Sequence, residues 1–154
     1  VGIANYRNLA YPEPRDEMQA RFSMQYCLTL ALRRKTLVLS DFTPAAIESF
    51  ASDPLLTKIS MTHYSAEEEA AAKSNLPHRL TITLSDGRIL ETQRAAARGG
   101  LANPFQDDAR RAKISNCLDD MEDVELIQTK LNQLDDQPDL HFLDVLFDGR
   151  AAAA

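Results

Sequence analysis

The chain has 154 residues, the size of one domain or of a domain with an appendage. Hydrophobic residues make up 44% and charged residues 26%, which excludes global disorder and leaves enough apolar surface for a core. The formal net charge of −6 argues against nucleic acid as a partner, and no apolar run approaches the roughly 20 residues that cross a membrane.

The negative charge is concentrated at the C-terminal end. Residues 119–154 contain ten acidic and two basic side chains, whereas residues 1–118 contain thirteen acidic and fifteen basic ones. A change of composition of this kind is typical of a domain boundary. We therefore expect one domain over residues 1–118 and separate acidic helices over residues 119–154.

Two cysteines, Cys27 and Cys117, lie far apart, and neither belongs to a Cys-x-x-Cys motif. Their apolar helical surroundings predict free, buried thiols, as in a cytoplasmic protein. The first residues also lack the basic and apolar segments of a secretion signal. A first residue of Val1 instead of methionine suggests a piece of a longer protein.

The first third of the chain predicts one long helix. Residues 1–4 favour a short strand, and the prolines at 12 and 14 then interrupt regular structure. Apolar side chains recur at helical spacing over residues 16–34, with acidic residues at the start and basic residues at the end. We expect a single helix there.

The middle of the chain predicts short helices and a possible strand. Thr43-Pro44 and Asp53-Pro54 each combine a helix cap with proline at the first helical position, so helices are expected over residues 44–50 and 54–57. Ile59 and Met61 alternate with polar residues in a predicted strand over residues 58–63. Ser65, followed by three glutamates and several alanines, predicts another short helix.

The clearest β-pattern lies over residues 79–94, where two alternating segments flank Asp86-Gly87, a typical hairpin turn. A glycine-rich loop follows at residues 98–104, and helices are predicted over residues 106–118 and 122–134. Pro138 ends the last of these, and residues 139–147 favour one or two further turns. This order of elements predicts an α+β fold with a small sheet packed against helices.

No complete catalytic motif is visible, since the chain lacks a phosphate-binding loop, a nucleophile elbow and zinc-ligand spacing. The acidic run at residues 119–123 could hold Mg²⁺, but a solvated helix start explains it more simply, so no metal site is predicted.

Two residues have candidate roles. Arg21 could bind a carboxylate as a bidentate donor or pair with Glu17, and His63 could be functional or an ordinary surface histidine.

Several segments together resemble the MmgE/PrpD family, which includes 2-methylcitrate dehydratase, cis-aconitate decarboxylase and iminodisuccinate epimerase. The most specific is Ala-Arg-Phe-Ser-Met-Gln-Tyr-Cys at residues 20–27. Tyr-Pro-x-Pro-Arg-Asp at residues 11–16 precedes it, and Asp-Gly-Arg at 86–88, Arg-Gly at 98–99 and Asn-Pro at 103–104 follow in the same order. The resemblance covers residues 5 to 147.

The resemblance implies a domain arrangement. Family proteins are about three times longer, with an N-terminal helical domain, an α+β domain and C-terminal helices that return to the first domain. Residues 1–118 are then the α+β, lid-like C-terminal domain, and residues 119–154 are the returning helices, which would pack on the N-terminal helical domain. The family further implies a cytoplasmic homodimer.

The resemblance also implies a chemistry: removal of a proton from carbon next to a carboxylate of a small di- or tricarboxylate, followed by dehydration, decarboxylation or epimerisation, without a cofactor. Arg21 and Ser23 would bind substrate, and His63 and Tyr64 would supply catalytic polar groups. A histidine commonly occupies the position of Phe22 in the dehydratase and decarboxylase branches, so phenylalanine favours the epimerase-like branch or another bacterial branch of the family. The isolated chain would be inactive; the alternative is a non-catalytic binding or oligomerisation domain.

Overall fold

The computed structural model describes residues 1–73, 76–118 and 124–144. Its α-helices and strands in these residues are α1 (Ile3–Asn8), α2 (Glu17–Arg21), α3 (Met24–Arg34), α4 (Pro44–Phe50), α5 (Ala66–Ala71), β1 (His78–Thr83), β2 (Ile89–Arg94), α6 (Asp107–Cys117) and α7 (Val124–Asn132). Short 3-10 turns lie at Leu39–Phe42, Leu56–Lys58, Leu134–Asp136 and His141–Leu143. Helices together with one small antiparallel sheet confirm the predicted α+β class.

The chain forms two compact units, Val1–Pro104 and the residues from Phe105 onward. The change in charge at residue 118 therefore lies inside the second unit, and the acidic run 119–123 lies outside the described residues. The packing of residues 119–154 on an N-terminal domain stays a prediction. Among the described helices, none is both long and apolar enough to cross a membrane.

The core of the first unit lies between α2, α3, α4 and the 3-10 turns at Leu39–Phe42 and Leu56–Lys58; we call this set the helical cluster. Its buried apolar side chains are Ala20, Tyr26, Leu30, Ile47 and Leu56. The rings of Phe42 and Phe50 flank the Tyr26 ring, with centroids 6.1 and 6.4 Å away. Burying each large apolar side chain contributes about 1.5–3 kcal/mol, so this cluster stabilises the unit.

The prediction of one helix over residues 16–34 is wrong, because the helix is interrupted at Phe22 and Ser23. The Ser23 side chain accepts a hydrogen bond from the backbone N–H of Tyr26 at 3.1 Å and so begins a new helix, α3. Apolar spacing continues across the break, which made two helices resemble one. Lys35, the C-cap residue after α3, has a left-handed backbone conformation with φ of 60°.

A buried carboxylate fixes the turn after α3. Asp41 is fully buried, pairs with Arg34 and accepts a hydrogen bond from the backbone N–H of Val38 at 2.9 Å. The hydroxyl of Tyr26 donates to the Asp41 carbonyl at 2.5 Å. Burial, followed by the Asp41 charge, raises the pKa of Tyr26 above its usual value. The Asp41 side chain and carbonyl thus connect both ends of α3 to one turn.

Both short strands predicted before the hairpin are wrong. Residues 1–4 lead into α1, whose first amide, at Ile3, donates to the Glu69 side chain at 2.6 Å. Lys58 ends a 3-10 turn, and residues 59–63 belong to no strand. The two segments meet at Val1, whose amine donates to the carbonyl of Thr62 and whose carbonyl accepts from Tyr64, each at 3.0 Å.

Other predicted helix starts are confirmed. The Thr43 side chain caps α4 with Pro44 at its first position, and Ser65 forms a reciprocal capping box with Glu68 at the start of α5. The helix predicted at residues 54–57 is shorter, a turn that leads into the 3-10 segment Leu56–Lys58. Proline and capping signals therefore located these starts to within two residues.

The predicted hairpin is confirmed. Strands β1 and β2 pair antiparallel, from His78 opposite Arg94 to Thr83 opposite Ile89. Gly87 supplies the positive φ of 85° that the turn needs, and the Leu84 amide donates across it to Arg88 at 2.8 Å. Every residue of β2 is exposed, so the ladder, more than packing, holds this strand.

In the second unit, α6 and α7 confirm the described parts of the two helices predicted there. The Gln128 side chain on α7 donates to the hydroxyl of Ser115 on α6 at 2.8 Å. Both cysteines are free, as predicted, but neither is fully buried: Cys27 is half-buried and Cys117 is exposed, so the prediction of buried thiols is wrong. Residues 145–147 of the predicted last turns lie outside the described residues.

Candidate functional site

Arg21 lies at the end of α2, where its guanidinium pairs with the Glu17 carboxylate one turn earlier. The side chains of both residues are more than half exposed, at 54% and 55%. The neighbouring Phe22 is also exposed, at 45%, which is unusual for a large aromatic side chain. Of the two roles considered for Arg21, the structure therefore shows the local ion pair with Glu17. The guanidinium group is nevertheless accessible to solvent.

Ser23, two residues later, is fully buried. Its hydroxyl oxygen caps α3, and its backbone N–H donates to the Ala20 carbonyl at 3.2 Å. The break between α2 and α3 thus holds Arg21 next to a helix N-terminus, the end that carries partial positive charge.

His63 and Tyr64 lie in the irregular segment before α5. The His63 ring packs on Tyr6 of α1 with centroids 4.7 Å apart, and its Nδ1 lies 2.6 Å from the Tyr64 carbonyl oxygen. The Tyr64 hydroxyl donates to the Pro77 carbonyl at 2.5 Å. The guanidinium of Arg79 lies 5.9 Å from the centre of the Tyr64 ring.

The structure does not connect the two predicted pairs directly. Within residues 1–73, 76–118 and 124–144, no hydrogen bond, ion pair or ring contact joins Arg21 or Ser23 to His63 or Tyr64. These described residues also contain no group of three histidine, cysteine, aspartate or glutamate side chains that could hold a metal ion.

A cavity of about 770 Å³ opens elsewhere in the first unit, between α1, α5, the open end of the hairpin and the loop after β2. Four of its lining residues are polar or charged: Asn5, Glu69, His78 and Arg94. His78 and Arg94 are direct cross-strand partners, and the Asn5 side-chain nitrogen lies 3.3 Å from Nε2 of His78. Most of the remaining lining residues are glycine or alanine.

This group of residues was not predicted from the sequence. Asn5 and His78 are 73 positions apart, and nothing in the sequence indicates that they meet. The pairing of His78 with Arg94 could have been found, because counting outward from the Asp86-Gly87 turn places them opposite each other. Glu69 looked like part of a solvated helix, yet its carboxylate faces the amide of Ile3.

The comparison with protein families agrees with the resemblance. The family model for the MmgE/PrpD C-terminal domain matches residues 2–136. The chain belongs to the MmgE/PrpD family and represents its C-terminal domain. None of the curated proteins matches the sequence.

Proposed function

We propose that this chain is the C-terminal part of a lyase or isomerase that removes a proton next to a carboxylate of a small di- or tricarboxylate. The observation that carries the proposal is the family match over residues 2–136. The carbanion formed by such a step is an enediolate, which needs hydrogen-bond donors or cations around its oxygens and a nearby base.

In this proposal Arg21 binds a substrate carboxylate. Its guanidinium is exposed and its partner, Glu17, is an exposed carboxylate, so a substrate carboxylate can replace Glu17 without leaving a buried charge unpaired. The planar guanidinium suits bidentate binding, and the adjacent N-terminus of α3 favours negative charge. Ser23 is the second proposed substrate-binding residue. Its hydroxyl is fully buried and caps α3, so donation to a substrate would require the break between α2 and α3 to open.

The proposed polar groups for proton transfer are His63 and Tyr64. Nδ1 of His63 is engaged by the Tyr64 carbonyl, which leaves Nε2 as the nitrogen that can exchange a proton. The Tyr64 hydroxyl donates its proton to the Pro77 carbonyl, so it would have to release that bond to donate to a substrate. The dehydratase and decarboxylase branches of the family commonly have a proton-transferring histidine at the position of Phe22, and its absence here favours an epimerase-like enzyme over those two reactions.

The proposal extends to the rest of the protein. The N-terminal helical domain would complete the cleft and supply the principal bases, and the enzyme would be a homodimer. A cleft that lacks one wall cannot orient a substrate for reaction, so this chain by itself would be inactive.

The test is hydrogen exchange catalysed by the full-length protein in D₂O, followed by NMR on a panel of small di- and tricarboxylates. We expect one acid to lose its α-C–H signal or to be converted. Arg21→Ala should lower kcat/KM by about 10- to 100-fold, the loss expected for a charged hydrogen bond. Arg88→Ala is the matched control, since it removes another exposed, carboxylate-paired arginine far along the chain.

The second candidate function is a non-catalytic binding or oligomerisation domain, which the pairing of Arg21 with its own neighbour Glu17 favours. A folded full-length protein that exchanges none of the acids would support this second function. Equal kinetics for the Arg21→Ala variant and the unchanged protein would remove Arg21 from the site.

A further inference from the structure

The cavity between α1, α5 and the hairpin carries two opposite charges that do not pair with each other. Glu69 and Arg94 both line it, and neither forms an ion pair in the part of the chain that the structure describes. Most arginines of the helical cluster and the hairpin turn, by contrast, are paired with a carboxylate, as in Arg33–Asp53 and Arg88–Asp86.

The surroundings of each charge define what it can bind. The Arg94 guanidinium makes only a long contact of 3.3 Å with the carbonyl of Gln93 among the described residues, so its donors suit a carboxylate. One Glu69 oxygen accepts from the amide of Ile3 at 2.6 Å, which fixes the carboxylate, while the other can accept from a cation. A Cβ at Gly2 would lie 3.2 Å from that first oxygen, so glycine leaves this carboxylate room.

The size and lining of the cavity suit a small molecule. A volume of about 770 Å³ lies within the usual range of ligand pockets, about 300–1,000 Å³. Asn5 and His78 add a hydrogen-bonding pair next to Arg94. The glycine and alanine residues of the remaining wall leave space for a ligand. A ligand with only negative charge would meet the Glu69 carboxylate, and one with only positive charge would meet Arg94.

We propose that this cavity binds a small zwitterion of the amino-acid class, with its carboxylate on Arg94 and its ammonium group on Glu69. Asn5 and His78 orient the carboxylate end, and the small-residue wall accepts the side chain. None of the residues proposed for the active site lines this cavity, and the inference does not depend on the proposed function.

The test is isothermal titration calorimetry of the full-length protein with glycine and alanine, each compared with its analogue without the amino group, acetate and propionate. None of these four molecules is a di- or tricarboxylate of the kind proposed to bind at Arg21. We expect saturable binding of at least one amino acid. The dissociation constant of its analogue should be at least about tenfold larger. Glu69→Gln should remove this difference, because glutamine still accepts from the Ile3 amide but carries no charge. Arg94→Ala should weaken binding of both molecules at least about tenfold.

Three control variants separate this site from its surroundings and from the proposed active site. Glu67→Gln on α5 and Arg88→Ala at the hairpin turn should leave amino-acid binding unchanged, as should Arg21→Ala. The proposal is overturned if no amino acid binds, if Glu69→Gln keeps the preference for the amino group, or if Arg21→Ala abolishes binding while Arg94→Ala does not.

Discussion

The helical cluster and the hairpin belong to the same compact unit but are held together differently. In the cluster, Leu30 is fully buried and Tyr26 is exposed by only 1%. In the hairpin, Ile89 and Leu90 are exposed by 62% and 51%. Side-chain packing therefore stabilises the cluster, whereas the hairpin depends on its backbone ladder and turn.

Ion pairs show the same contrast. Arg33 and Asp53 are 20 positions apart and connect α3 to the segment after α4. Arg88 and Asp86 are two positions apart within one turn. The first pair can form only when the cluster folds, but the second is a local contact that an unfolded chain can also make.

The largest difference in stability is expected between two leucine-to-alanine variants, one in the cluster and one in the hairpin. Leu30→Ala should lower the free energy of unfolding by about 2–5 kcal/mol, because it opens a cavity in the core of the cluster. Leu90→Ala should cost less than about 1 kcal/mol, since half of that side chain is already in water. Urea unfolding of both variants, followed by circular dichroism, measures the difference.

Equal losses for the two leucine variants would contradict the comparison, because they would mean that the hairpin face is covered in solution. A larger loss for Leu90→Ala would show that this face packs against another surface.

A smaller effect is expected at two helix caps. Ser23→Ala should destabilise the chain by about 1 kcal/mol or more, because its buried oxygen satisfies the Tyr26 amide, which would be left without a partner. Ser65→Ala removes a cap from an exposed helix, where water can replace the lost hydrogen bond, and should cost less. Thermal unfolding of the two variants gives the ranking; a larger loss at Ser65 would contradict it.

The smallest expected effect is on the pH dependence of the free energy of unfolding. Hydrogen bonds from Arg33 and from the Leu55 amide hold the pKa of Asp53 below its usual value. The pKa of Asp53 in the folded state is lower than in the unfolded state, where it is about 3.9. The stabilisation is therefore present above the unfolded pKa and is lost as the pH falls through the folded pKa. Asp53→Asn should therefore flatten the fall in stability on acidification.

Asp86→Asn is the matched control for the acid experiment. Hydrogen bonds from the Arg88 amide and then its side chain also lower the pKa of Asp86. Since this contact is local, folded and unfolded pKa values should differ less, and the variant should change the pH profile less than Asp53→Asn does. Urea midpoints between pH 3 and 6 decide this, and a stronger effect of Asp86→Asn would contradict the argument.

Signals carried by adjacent residues allowed much of the fold to be predicted. Thr43 and Ser65 mark helix starts through their own hydrogen bonds, and Gly87 marks the turn through its backbone conformation. The break at Ser23 was also detectable, because a serine before an apolar segment is a cap signal, but the continuous apolar spacing hid it.

The features that could not be predicted depend on distant residues. A strand needs a partner, and alternation at Ile59 and Met61 does not reveal that residues 58–63 lack one in the described structure. The candidate site shows the same limit: Arg21 pairs with a neighbour that the sequence identifies, whereas the cavity joins Asn5 to His78 across 73 positions. Family membership suggested residue roles that spacing alone does not provide.

The contact between Glu69 and the first amide of α1 has a consequence for the order of folding. A six-residue helix is too short to persist in water by itself, and the partner of this one lies 66 positions further along the chain. Closing so long a loop is slow compared with forming local turns. Helix α1, the first helix along the chain, is therefore expected to be among the last to acquire its native structure.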